Sequence, residues 1–533
     1  MASMLVGLAV MLSVATVLGQ YDPNIAHGRP RSAYVHLFEW KWTDIALECE
    51  RFLGPKGFAA VQVSPPNEHA VITNPLYPWW QRYQPVSYKL VSRSGNETEF
   101  IDMVTRCNNA GVRIYVDAII NHMSAAGMGV GSAGSSFNSN EKDFPGVPYG
   151  PRDFTDDWEC TCKDGKIDYS VPACVRNCRL SGLPDLAIYK FHTRVMLRNY
   201  FNKLVQIGVA GFRVDAAKHM WPIHLNQLLA SVNNLNTQWF PQNSRPFIYS
   251  EVINQPNEPI TASEYTDSGR VTEFGYGKAL SHAVLKGQAL ANLRTFGDGT
   301  GDNWKMINGA VAVSFVDNHD NQRGHGGGGN ILTFRQPREY KIANAFMLAH
   351  KYGFPQVMSS YNWQQNYGFD SEGVWKDLND FIGPPHAAGS PPGTTASVVI
   401  TADGSCDRRV GWICEHRWRQ ITNMVEFRNV AGSGDQVHWW DNGINKIAFG
   451  RGAVGATTAF IAINNEDNRM NEWLVTGLPA GIYCDVISGN LVNGDCTGRR
   501  IQVFQDTKAL FDISNIYSDN NDPIIAIHVN AKL

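Results

Sequence analysis

Eight short runs rich in Val, Ile, Phe, Tyr and Ala recur between residues 33 and 359, and segments of helix length separate most of them. This alternation constrains the fold more than any other feature, because strands that alternate with helices build parallel sheets. The candidate strands are 33–40, 58–64, 111–120, 211–215, 247–252, 270–274, 310–316 and 354–359. Candidate helices include 44–52, 97–108 and 189–207. The pattern predicts an α/β protein built on a (β/α)8 TIM barrel.

Two parts of the chain depart from this rhythm. Residues 121–185 are too long for one helix and are rich in Gly, Ser, Asn and Cys, which predicts a loop-rich domain inserted after the third strand. Beyond residue 435, short strand patterns at 446–450, 457–463, 481–487, 500–504 and 523–529 follow one another with turns only, which predicts an antiparallel β-sandwich. The predicted domains are the barrel (20–121 and 190–434), the insertion (122–189) and the C-terminal domain (435–533).

The N-terminal segment 1–19 contains an apolar run over residues 5–18, and we interpret it as a secretory signal peptide cleaved before Gln20. The alternative is a buried or membrane-anchoring helix, but the run is short for a membrane span. Secretion also suits the 10 cysteines, an even number that can form five disulfides. We therefore expect an extracellular protein.

The charge balance restricts the partners. The net charge is −3 and no block of basic residues occurs, so nucleic acids and anionic membranes are poor candidates. The 15 Trp, 19 Tyr and 25 Phe suit stacking on sugar rings or a large core, and the count alone does not separate these two explanations.

Acidic residues lie at the ends of several candidate strands, namely Glu39, Asp117, Asp215, Glu251 and Asp320. Parallel barrels keep their chemistry at the carboxyl ends of their strands, where such residues converge. On the strand 211–215 the period of two puts Arg213 and Asp215 on one face, and Lys218 and His219 follow at once. An isolated pair of this kind is more often a structural ion pair, but the converging acids favour a reactive site.

Asp215, Glu251 and Asp320 each close a different strand. Glycoside hydrolysis needs two carboxyl groups, one as a nucleophile or base and one as a protonated acid, and retaining enzymes hold them roughly 5–5.5 Å apart. Neighbouring strand ends of a barrel can provide such proximity.

Four ordered motifs carry a resemblance to a known family: VDAIINH at 116–122, GFRVDAAKH at 211–219, Glu251 with Val252, and FVDNHD at 315–320. Together they resemble the α-amylase family of glycoside hydrolases, and the animal-type members most of all. Runs such as PWWQRYQPVSYKL at 78–90 and CEHRWRQI at 414–421 extend the resemblance over essentially the whole mature chain.

The resemblance implies catalytic roles. Asp215 would be the nucleophile that forms a covalent glucosyl-enzyme, and Arg213 would favour its ionised form. Glu251 would be the general acid and then the base that activates water, and the neighbouring carboxylates would keep it protonated. Asp320 would bind sugar hydroxyls and stabilise the distorted transition state.

The resemblance also implies a substrate-binding set. Its members are Trp79, Trp80, Tyr83, Gln84, His122, Arg213, Lys218, His219, His319 and His325. A lone histidine more often has a structural role, but His122, His219 and His319 lie inside the matched motifs. Three prolines near Trp79 and Trp80 favour an exposed loop over a core plug. The glycine-rich run 324–329 lacks the Lys-Ser/Thr and helix of a phosphate loop, so we interpret it as a mobile loop over the cleft, with a plain flexible turn as the alternative.

Two ion sites follow from the same resemblance. Calcium is expected between the barrel and the insertion at Asn121, Arg176, Asp185 and His219, with Arg176 and His219 contributing main-chain oxygens. Chloride-binding relatives use two basic residues and an asparagine; Arg213 and Asn318 match, but Gln356 stands at the third position. Because a neutral amide loses a charge-assisted contact, we predict activity that does not depend on chloride.

The cysteine framework resembles that of the family with two departures. Cys49–Cys107, Cys406–Cys414 and Cys484–Cys496 match expected bridges, whereas Val91 replaces one partner of a further bridge. In the insertion, Cys178 is expected to pair with Cys160 or Cys162, and the remaining two, including Cys174, with each other. A zinc site is the alternative for these four cysteines.

The sequence thus predicts a secreted, monomeric, calcium-dependent, retaining endo-hydrolase of α-1,4-glucosidic bonds in starch and glycogen. A related α-glucosidase or transglycosylase is the nearest alternative. A non-catalytic carbohydrate-binding protein, or an interaction protein that works through its C-terminal domain, would be a different class. Loss of one of the three acids would have indicated the binding protein, and all three are present.

Overall fold

A computed structural model describes residues 25–26, 29–255, 257–297, 304–327, 329–387, 393–518 and 521–533. Eight parallel strands close into a barrel in the order in which they occur in the chain. They are β1 (Tyr34–Leu37), β2 (Ala60–Val63), β3 (Arg113–Ala118), β4 (Gly211–Val214), β5 (Phe247–Ser250), β6 (Arg270–Thr272), β7 (Ala312–Phe315) and β8 (Phe354–Ser359). The predicted barrel is confirmed, and its strands are shorter than the apolar runs because the polar ends turn out of the sheet.

Apart from α3, which lies in the insertion, the helices cover the outside of the barrel, and two of them match the predicted segments closely. They are α1 (Trp42–Glu48), α2 (Glu97–Asn109), α3 (Pro172–Asn177), α4 (Phe191–Ile207), α5 (Pro222–Ala230), α6 (Phe274–Val284), α7 (Pro337–Ala349) and α8 (Arg419–Ala431). Asn96 starts α2 with a capping box, since its side chain accepts from the Glu99 N–H and Glu99 accepts from the Asn96 N–H. Gly208 ends α4 in the left-handed region at φ 115°, which a glycine adopts freely, and the chain then enters β4.

Aromatic side chains fill the barrel interior. Tyr34 packs edge-on against Tyr115 and Tyr249, with ring centroids 5.5 and 5.7 Å apart. The buried hydroxyls find partners on neighbouring strands, because Tyr249 donates to Gln62 at 2.8 Å and Tyr34 donates to Gln356 at 2.9 Å. The interior is therefore a packed core, and chemistry is confined to its ends.

The segment between β3 and β4 holds two short antiparallel strands, Met128–Val130 and Ser136–Asn138, besides α3 and several single helical turns. A bridge between His122 and Asp185 brings the two ends of this segment together. The irregular insertion therefore lies against the carboxyl end of the barrel.

Beyond α8 the chain forms two four-stranded antiparallel sheets. The strands of three or more residues that follow the barrel are β9 (Tyr367–Phe369), β10 (Trp375–Asp377), β11 (Asp435–Asp441), β12 (Lys446–Ala453), β13 (Ala456–Asn464), β14 (Met470–Val475), β15 (Gly481–Cys484), β16 (Arg500–Val503), β17 (Lys508–Ile513) and β18 (Ile524–His528). A short antiparallel pair, Leu491–Val492 and Asp495–Cys496, lies between β15 and β16. One sheet has the order β11-β12-β13-β18 and the other β14-β17-β16-β15. The antiparallel domain is as predicted, but the sequence patterns missed β11, β14 and β17.

The C-terminal domain is joined to the barrel through buried polar contacts. Arg451 donates to the carbonyl oxygens of Ala349 at 2.6 Å and Gly432 at 3.0 Å. Lys341 pairs with Asp522 at 3.1 Å. Side chains of β12, β13 and β18 also belong to the same hydrophobic core as the barrel. The contact is therefore a continuous part of the protein interior.

All ten cysteines lie in the described residues and form disulfides. The insertion contains Cys160–Cys178 and Cys162–Cys174, so the two open pairings are resolved and the zinc alternative is wrong for these cysteines. Ser132 Oγ donates to the carbonyl oxygen of Val91 at 2.7 Å, at the position without a bridge.

The proposed signal peptide at 1–19 lies outside the described residues. In the described ranges, no helix has the length and apolar character needed to cross a membrane.

Candidate active site

Arg213 on β4 is the centre of a group of carboxylates at the carboxyl end of the barrel. Its Nη1 donates to Asp117 Oδ1 at 2.5 Å and to Asp215 Oδ1 at 2.9 Å. Its Nη2 lies 2.9 Å from Glu251 Oε1 and 4.0 Å from Asp320 Oδ2. Four acids from the ends of four strands therefore surround one guanidinium, as the strand-end pattern predicted for Asp117, Asp215, Glu251 and Asp320.

The turn after β4 positions the carboxyl group of Glu251. Ala216, the residue after Asp215, has φ 49°, a left-handed conformation that costs an alanine of order 1 kcal/mol. In this conformation its N–H donates to Glu251 Oε2 at 2.8 Å. The strained backbone thus links the Asp215 turn to the carboxylate of the neighbouring strand.

One guanidinium group does not neutralise four carboxylates, and the pKa values of three of these acids are raised. Burial raises the pKa of Asp215 well above its usual range, Arg213 opposes this rise, and Glu251 adds to it. Burial and the Glu251 charge raise the pKa of Asp320 to about 7. Burial likewise raises the pKa of Asp117 against the pull of Arg213. The group therefore retains protons near neutral pH, which a reaction that needs both a carboxylate and a carboxylic acid requires.

Tyr83 connects this group to a histidine. Its hydroxyl donates to Asp117 Oδ2 at 2.8 Å and lies 2.8 Å from His319 Nε2, so Nε2 carries the proton in this arrangement. The Tyr83 ring also stacks on the His319 ring at 5.3 Å. His319 is 1% exposed, and burial lowers its pKa well below the usual range. It is therefore a neutral group packed behind Tyr83.

A cleft of about 700 Å³ lies above the carboxylates. Asp215, Glu251 and Asp320 form part of its surface. Of the predicted binding residues, it is lined by Trp79, Trp80, Tyr83, Gln84, His122, Lys218, His219 and His325. The structure thus brings together nearly all of the predicted set, while Arg213 and His319 lie beneath the surface.

The Trp79–Tyr83 segment is a 3-10 helix, not the extended exposed loop that its prolines suggested. Trp79 is only 5% exposed, because its Nε1 donates to the Asp380 carbonyl oxygen at 2.8 Å and its ring contacts Phe38 and His319. Trp79 therefore packs in the core and also lines the cleft, so the core plug and the binding role are both true of this residue.

His122 and His219 line the cleft as neutral groups. Burial lowers the pKa of each to about 4. His122 Nε2 lies 3.0 Å from the Tyr83 carbonyl oxygen, and His219 Nδ1 lies 3.0 Å from the Val175 carbonyl oxygen. One ring nitrogen of each is thus held by the backbone, which fixes the ring orientation.

Three further predicted residues form the rim. Gln84 Oε1 accepts from the Ala125 N–H at 2.8 Å, which anchors it to the insertion. Lys218 Nζ donates to the Ile253 carbonyl oxygen at 2.8 Å and pairs with Glu258. His325 lies 3.3 Å from Asp380. Gly326 and Gly327 also line the cleft, whereas Gly328 in the same run lies outside the described residues.

The sequence interpretation missed Tyr169, Gln255 and Glu258 as parts of the cleft. Tyr169 comes from the insertion, and Lys218 Nζ lies 4.8 Å from its ring centre. Gln255 and Glu258 follow Glu251 in the loop after β5. A search of the loops after each strand end could have found the latter two, but no local signal marks Tyr169.

Of the five strand-end acids, Glu39 alone is remote from this group. Both its oxygens are bound by cations, since Arg82 Nη1 donates to Oε2 at 2.8 Å and Arg93 pairs with both oxygens. The prediction that strand-end acids converge thus holds for four of the five.

Residues 121, 176, 185 and 219 fit a hard cation. Asn121 Oδ1 is buried and, within the described part of the chain, has no hydrogen-bond partner. Asp185 is buried, its Oδ2 accepts from Thr155 Oγ1 at 2.5 Å, and no described basic side chain forms an ion pair with it. The Arg176 guanidinium is directed to Glu264 and Tyr265, so only its main chain is available. Oxygen donors of this kind suit calcium.

The three positions considered for chloride from the resemblance, Arg213, Asn318 and Gln356, are also buried. Asn318 Oδ1 accepts from the N–H groups of Asp320 at 3.0 Å and Asn321 at 2.8 Å. Gln356 Oε1 accepts from the Tyr34 hydroxyl, so the amide takes part in the packing of the barrel.

Comparisons with known proteins agree with this geometry. Residues 69–359 match the family described as "Alpha amylase, catalytic domain", and residues 438–530 match "Alpha amylase, C-terminal all-beta domain". The chain is 54% identical over 521 residues to an alpha-amylase of Oryzias latipes, covering 96% of this chain and 97% of the relative. It is 52% identical over 531 residues to alpha-amylase 1B of Homo sapiens, covering 98% and 99%.

Solved structures give the same result. A glutamate-to-glutamine mutant of alpha-amylase I from Eisenia fetida, in complex with maltohexaose, matches with a TM-score of 0.86 and 49% identity. The match covers 96% of this chain and 98% of that chain. The wild-type enzyme from the same organism matches with a TM-score of 0.85.

Proposed function

The chain belongs to the α-amylase family, and from this premise we propose that it hydrolyses internal α-1,4-glucosidic bonds of starch and glycogen with retention of the anomeric configuration. One observation carries the proposal: Asp215, Glu251 and Asp320 share a single guanidinium at the base of an aromatic-walled cleft. The relative that is solved with maltohexaose supports a malto-oligosaccharide as the ligand class.

In the first step Asp215 acts as the nucleophile. Its carboxylate oxygen attacks the anomeric carbon, the bond from that carbon to the leaving oxygen breaks, and Glu251 gives its proton to that oxygen. The charge-assisted hydrogen bond from Arg213 Nη1 to Asp215 Oδ1 favours the ionised form of this nucleophile and opposes the effect of burial on its pKa.

In the second step Glu251 acts as the base. It takes a proton from water, whose oxygen attacks the anomeric carbon on the face left by the first product, and the bond to Asp215 breaks. Two inversions give net retention, and both acids return to their starting protonation. The Ala216 N–H, which donates to Glu251 Oε2, holds this carboxyl group in place for both steps.

The remaining groups bind the polymer. Asp320, with a pKa of about 7, and the neutral His122 and His219 are suited to hydrogen bonds with sugar hydroxyls. Trp79, Trp80 and Tyr83 present aromatic surface to the sugar rings. His319 acts through Tyr83 as a positioning residue.

Calcium would be held by Asn121 Oδ1, the Asp185 carboxylate and the main-chain oxygens of Arg176 and His219. When bound, it supplies hard positive charge that satisfies these buried oxygens and fixes the insertion against the barrel. His219 itself lines the cleft, so this site supports the shape of the cleft without taking part in the chemistry.

We further propose that activity needs no chloride. Gln356 supplies a neutral amide where the resemblance places a basic chloride ligand, and its side-chain oxygen already accepts from the Tyr34 hydroxyl. The five disulfides support an oxidising, extracellular location, in which structural disulfides persist.

The test is hydrolysis of soluble starch by the purified protein with calcium present, titrated from chloride-free buffer upward. Loss of iodine staining and viscosity before glucose appears, at a rate that is flat through the titration, is expected. Glucose as the first product would instead indicate an α-glucosidase, and new glycosidic bonds at high oligosaccharide concentration would indicate a transglycosylase. Binding of starch without hydrolysis would indicate the non-catalytic class. A rate that appears only with chloride would overturn the inference from Gln356.

A further inference from the structure

The β9–β10 hairpin carries three aromatic rings on one face. Phe369 lies opposite Trp375 in the antiparallel register, and Tyr367 is two residues before Phe369, so all three side chains leave the same side. Two hydrogen bonds close the turn, because Asp370 Oδ1 accepts from the N–H groups of Glu372 and Val374, each at 2.9 Å. The hairpin thus has a regular register and a hydrogen-bonded turn.

These rings are displayed to solvent. Tyr367, Phe369 and Trp375 are 55%, 69% and 59% exposed. The Trp375 ring packs edge-on against Phe369 at 5.0 Å and lies within 18° of parallel to Tyr367 at 6.5 Å. The opposite face behaves differently, since Leu378 packs where a Cβ on Gly368 would be. Three mutually ordered, exposed rings form an apolar patch of the kind that marks a binding surface.

The hairpin continues into the wall of the catalytic cleft. Asp377, the last residue of β10, accepts from Trp363 Nε1 at 2.8 Å. Three residues later, the Asp380 carbonyl oxygen accepts from Trp79 Nε1 and its carboxylate lies 3.3 Å from His325, and both partners line the cleft. The aromatic face is thus connected to the cleft through one short, well-bonded segment.

The chemistry of the patch suits a neutral polymer of sugars. The one cation of the hairpin, Lys376, lies 3.5 Å from Asp370 and 3.8 Å from Asp380, and with Glu372 in the turn the border of the patch is acidic. Gln365 Nε2 donates to the Tyr367 hydroxyl at 3.1 Å, which adds a polar group beside the rings. Aromatic rings with a polar border match the apolar faces and hydroxyl edges of glucose units, and the acidic neighbours disfavour an anionic partner.

We propose that this hairpin face, defined by Tyr367, Phe369 and Trp375, is a second binding platform for the α-glucan on which the cleft acts. The inference rests on the proposed function, because the occupant is taken to be the polymer substrate. The platform retains long chains beside the cleft, so it contributes to the use of polymeric starch and contributes nothing to the cleavage of short oligosaccharides.

The test compares the wild-type protein with the double variant Tyr367→Ala/Trp375→Ala. We expect the KM for soluble starch to rise roughly 3–10-fold and binding to starch granules to fall by a similar factor, which corresponds to a loss of about 0.7–1.4 kcal/mol in binding free energy. The kcat/KM for maltotetraose should stay within a factor of two. Val374→Ala, in the turn of the same hairpin, removes an exposed apolar side chain without a ring and should change none of these values.

A second control uses the C-terminal domain. Trp473 is 57% exposed beside Phe504, with ring centroids 5.6 Å apart. If Trp473→Ala lowers starch binding as much as the hairpin variant does, the effect is general adsorption and the proposal is overturned. Equal losses on starch and maltotetraose would show damage to the cleft and would also overturn it. A different oligomeric state of the hairpin variant on gel filtration would also overturn the proposal, because it would show that the patch binds a second copy of the chain.

Failure of the platform and failure of the proposed function give different results. Wild-type protein that hydrolyses starch, with an unchanged hairpin variant, removes the platform and keeps the enzyme. Wild-type protein that binds granules through the hairpin without hydrolysis keeps the platform and removes the enzyme.

Discussion

Two buried ion clusters lie at the carboxyl end of the same barrel and have opposite charge balance. After β1, Glu39 is held by two guanidinium groups, those of Arg82 and Arg93. At the ends of β3, β4, β5 and β7, four carboxylates share the single guanidinium of Arg213. The Glu39 side chain is fully buried and that of Asp320 is 19% exposed, so burial alone does not account for the difference between the clusters.

Their pKa values diverge because of this balance. Burial alone would raise the pKa of Glu39, but the charges and hydrogen bonds of Arg93 and Arg82 lower it below the usual value. In the Arg213 cluster, burial and neighbouring acids raise the pKa values of Asp215 and Asp320. An excess of cations fixes a carboxylate as a structural anion, whereas an excess of carboxylates retains exchangeable protons. Only the second arrangement can donate and accept protons near neutral pH.

The largest expected difference between the clusters is in activity. Glu251→Gln removes the proposed acid and base while keeping the shape of the side chain, so kcat on starch should fall roughly 10²–10⁴-fold. The same change at the other cluster, Glu39→Gln, is the matched control, and its folded fraction should keep kcat within a few-fold. Steady-state rates on soluble starch decide this, and a Glu251→Gln enzyme within tenfold of wild type would contradict the assignment.

The second expected difference is in stability, and here a substitution in the Glu39 cluster should have the larger effect. Glu39→Gln leaves two buried guanidinium groups without their counter-ion, so the free energy of unfolding at pH 7 should fall by about 3–5 kcal/mol. Asp320→Asn should change it little, because Asp320 has a pKa of about 7 and is partly neutral there. Guanidinium titrations of both variants test this expectation. A larger loss for Asp320→Asn than for Glu39→Gln would reverse our interpretation of the two clusters.

A third substitution adds a cation to the Arg213 cluster, so that its charge balance approaches that of the Glu39 cluster. Gln356→Arg would replace the hydrogen bond to Tyr34, whose hydroxyl is within electrostatic reach of Arg213, with a further cation. The added charge should stabilise the carboxylate forms and reduce activity in chloride-free buffer, and an anion that screens it should restore the rate roughly tenfold. Gln356→Met adds no charge and should stay insensitive to chloride. Insensitivity of the Gln356→Arg enzyme as well would mean that this position does not act on the cluster.

The smallest effect is in the pH dependence of stability, where the clusters have opposite signs. A raised pKa means that Asp320 contributes its stability below about pH 4 and loses it as the pH rises through about 7. A lowered pKa means that Glu39 contributes above its unfolded value, near 4.5, and loses its contribution as the pH falls.

Thermal unfolding of the wild type and of both variants between pH 3 and pH 8 measures these slopes. Relative to Asp320→Asn, the wild type should lose stability between about pH 4 and pH 7. Relative to Glu39→Gln, its advantage should shrink below about pH 4. Parallel curves for all three proteins would show that charge balance does not distinguish the clusters.

The barrel was predictable because its evidence is local. Each strand appears as an apolar run with a polar end, and hydrophobic burial turns that pattern into a parallel sheet. The C-terminal strands β11, β14 and β17 were missed because half of their residues face solvent, so the apolar signal is diluted. Trp79 was placed on an exposed loop because the prolines indicate irregular backbone but do not show that Arg323 and Asp380 pack around it.

The candidate site was predictable as a set of residues but not as a charge distribution. The strand-end motifs supplied Asp215, Glu251 and Asp320, and the structure placed all three around Arg213. Tyr169 was missed because its position depends on the path of the insertion, which no periodicity describes. The hairpin rings were missed for the same reason, since exposure is a property of the folded surface.

By itself, the sequence determined the barrel, the three acids and the cysteines that form five disulfides, because each depends on residue identity and local spacing. The tertiary structure decided which strand-end acid is paired with two guanidinium groups and which four share one, and which cysteines in the insertion pair. The physical reason is that a pKa and a disulfide both depend on distances between residues far apart in the chain. Glu39 and Asp215 have the same pattern in the sequence, and only the number of guanidinium groups around each separates them.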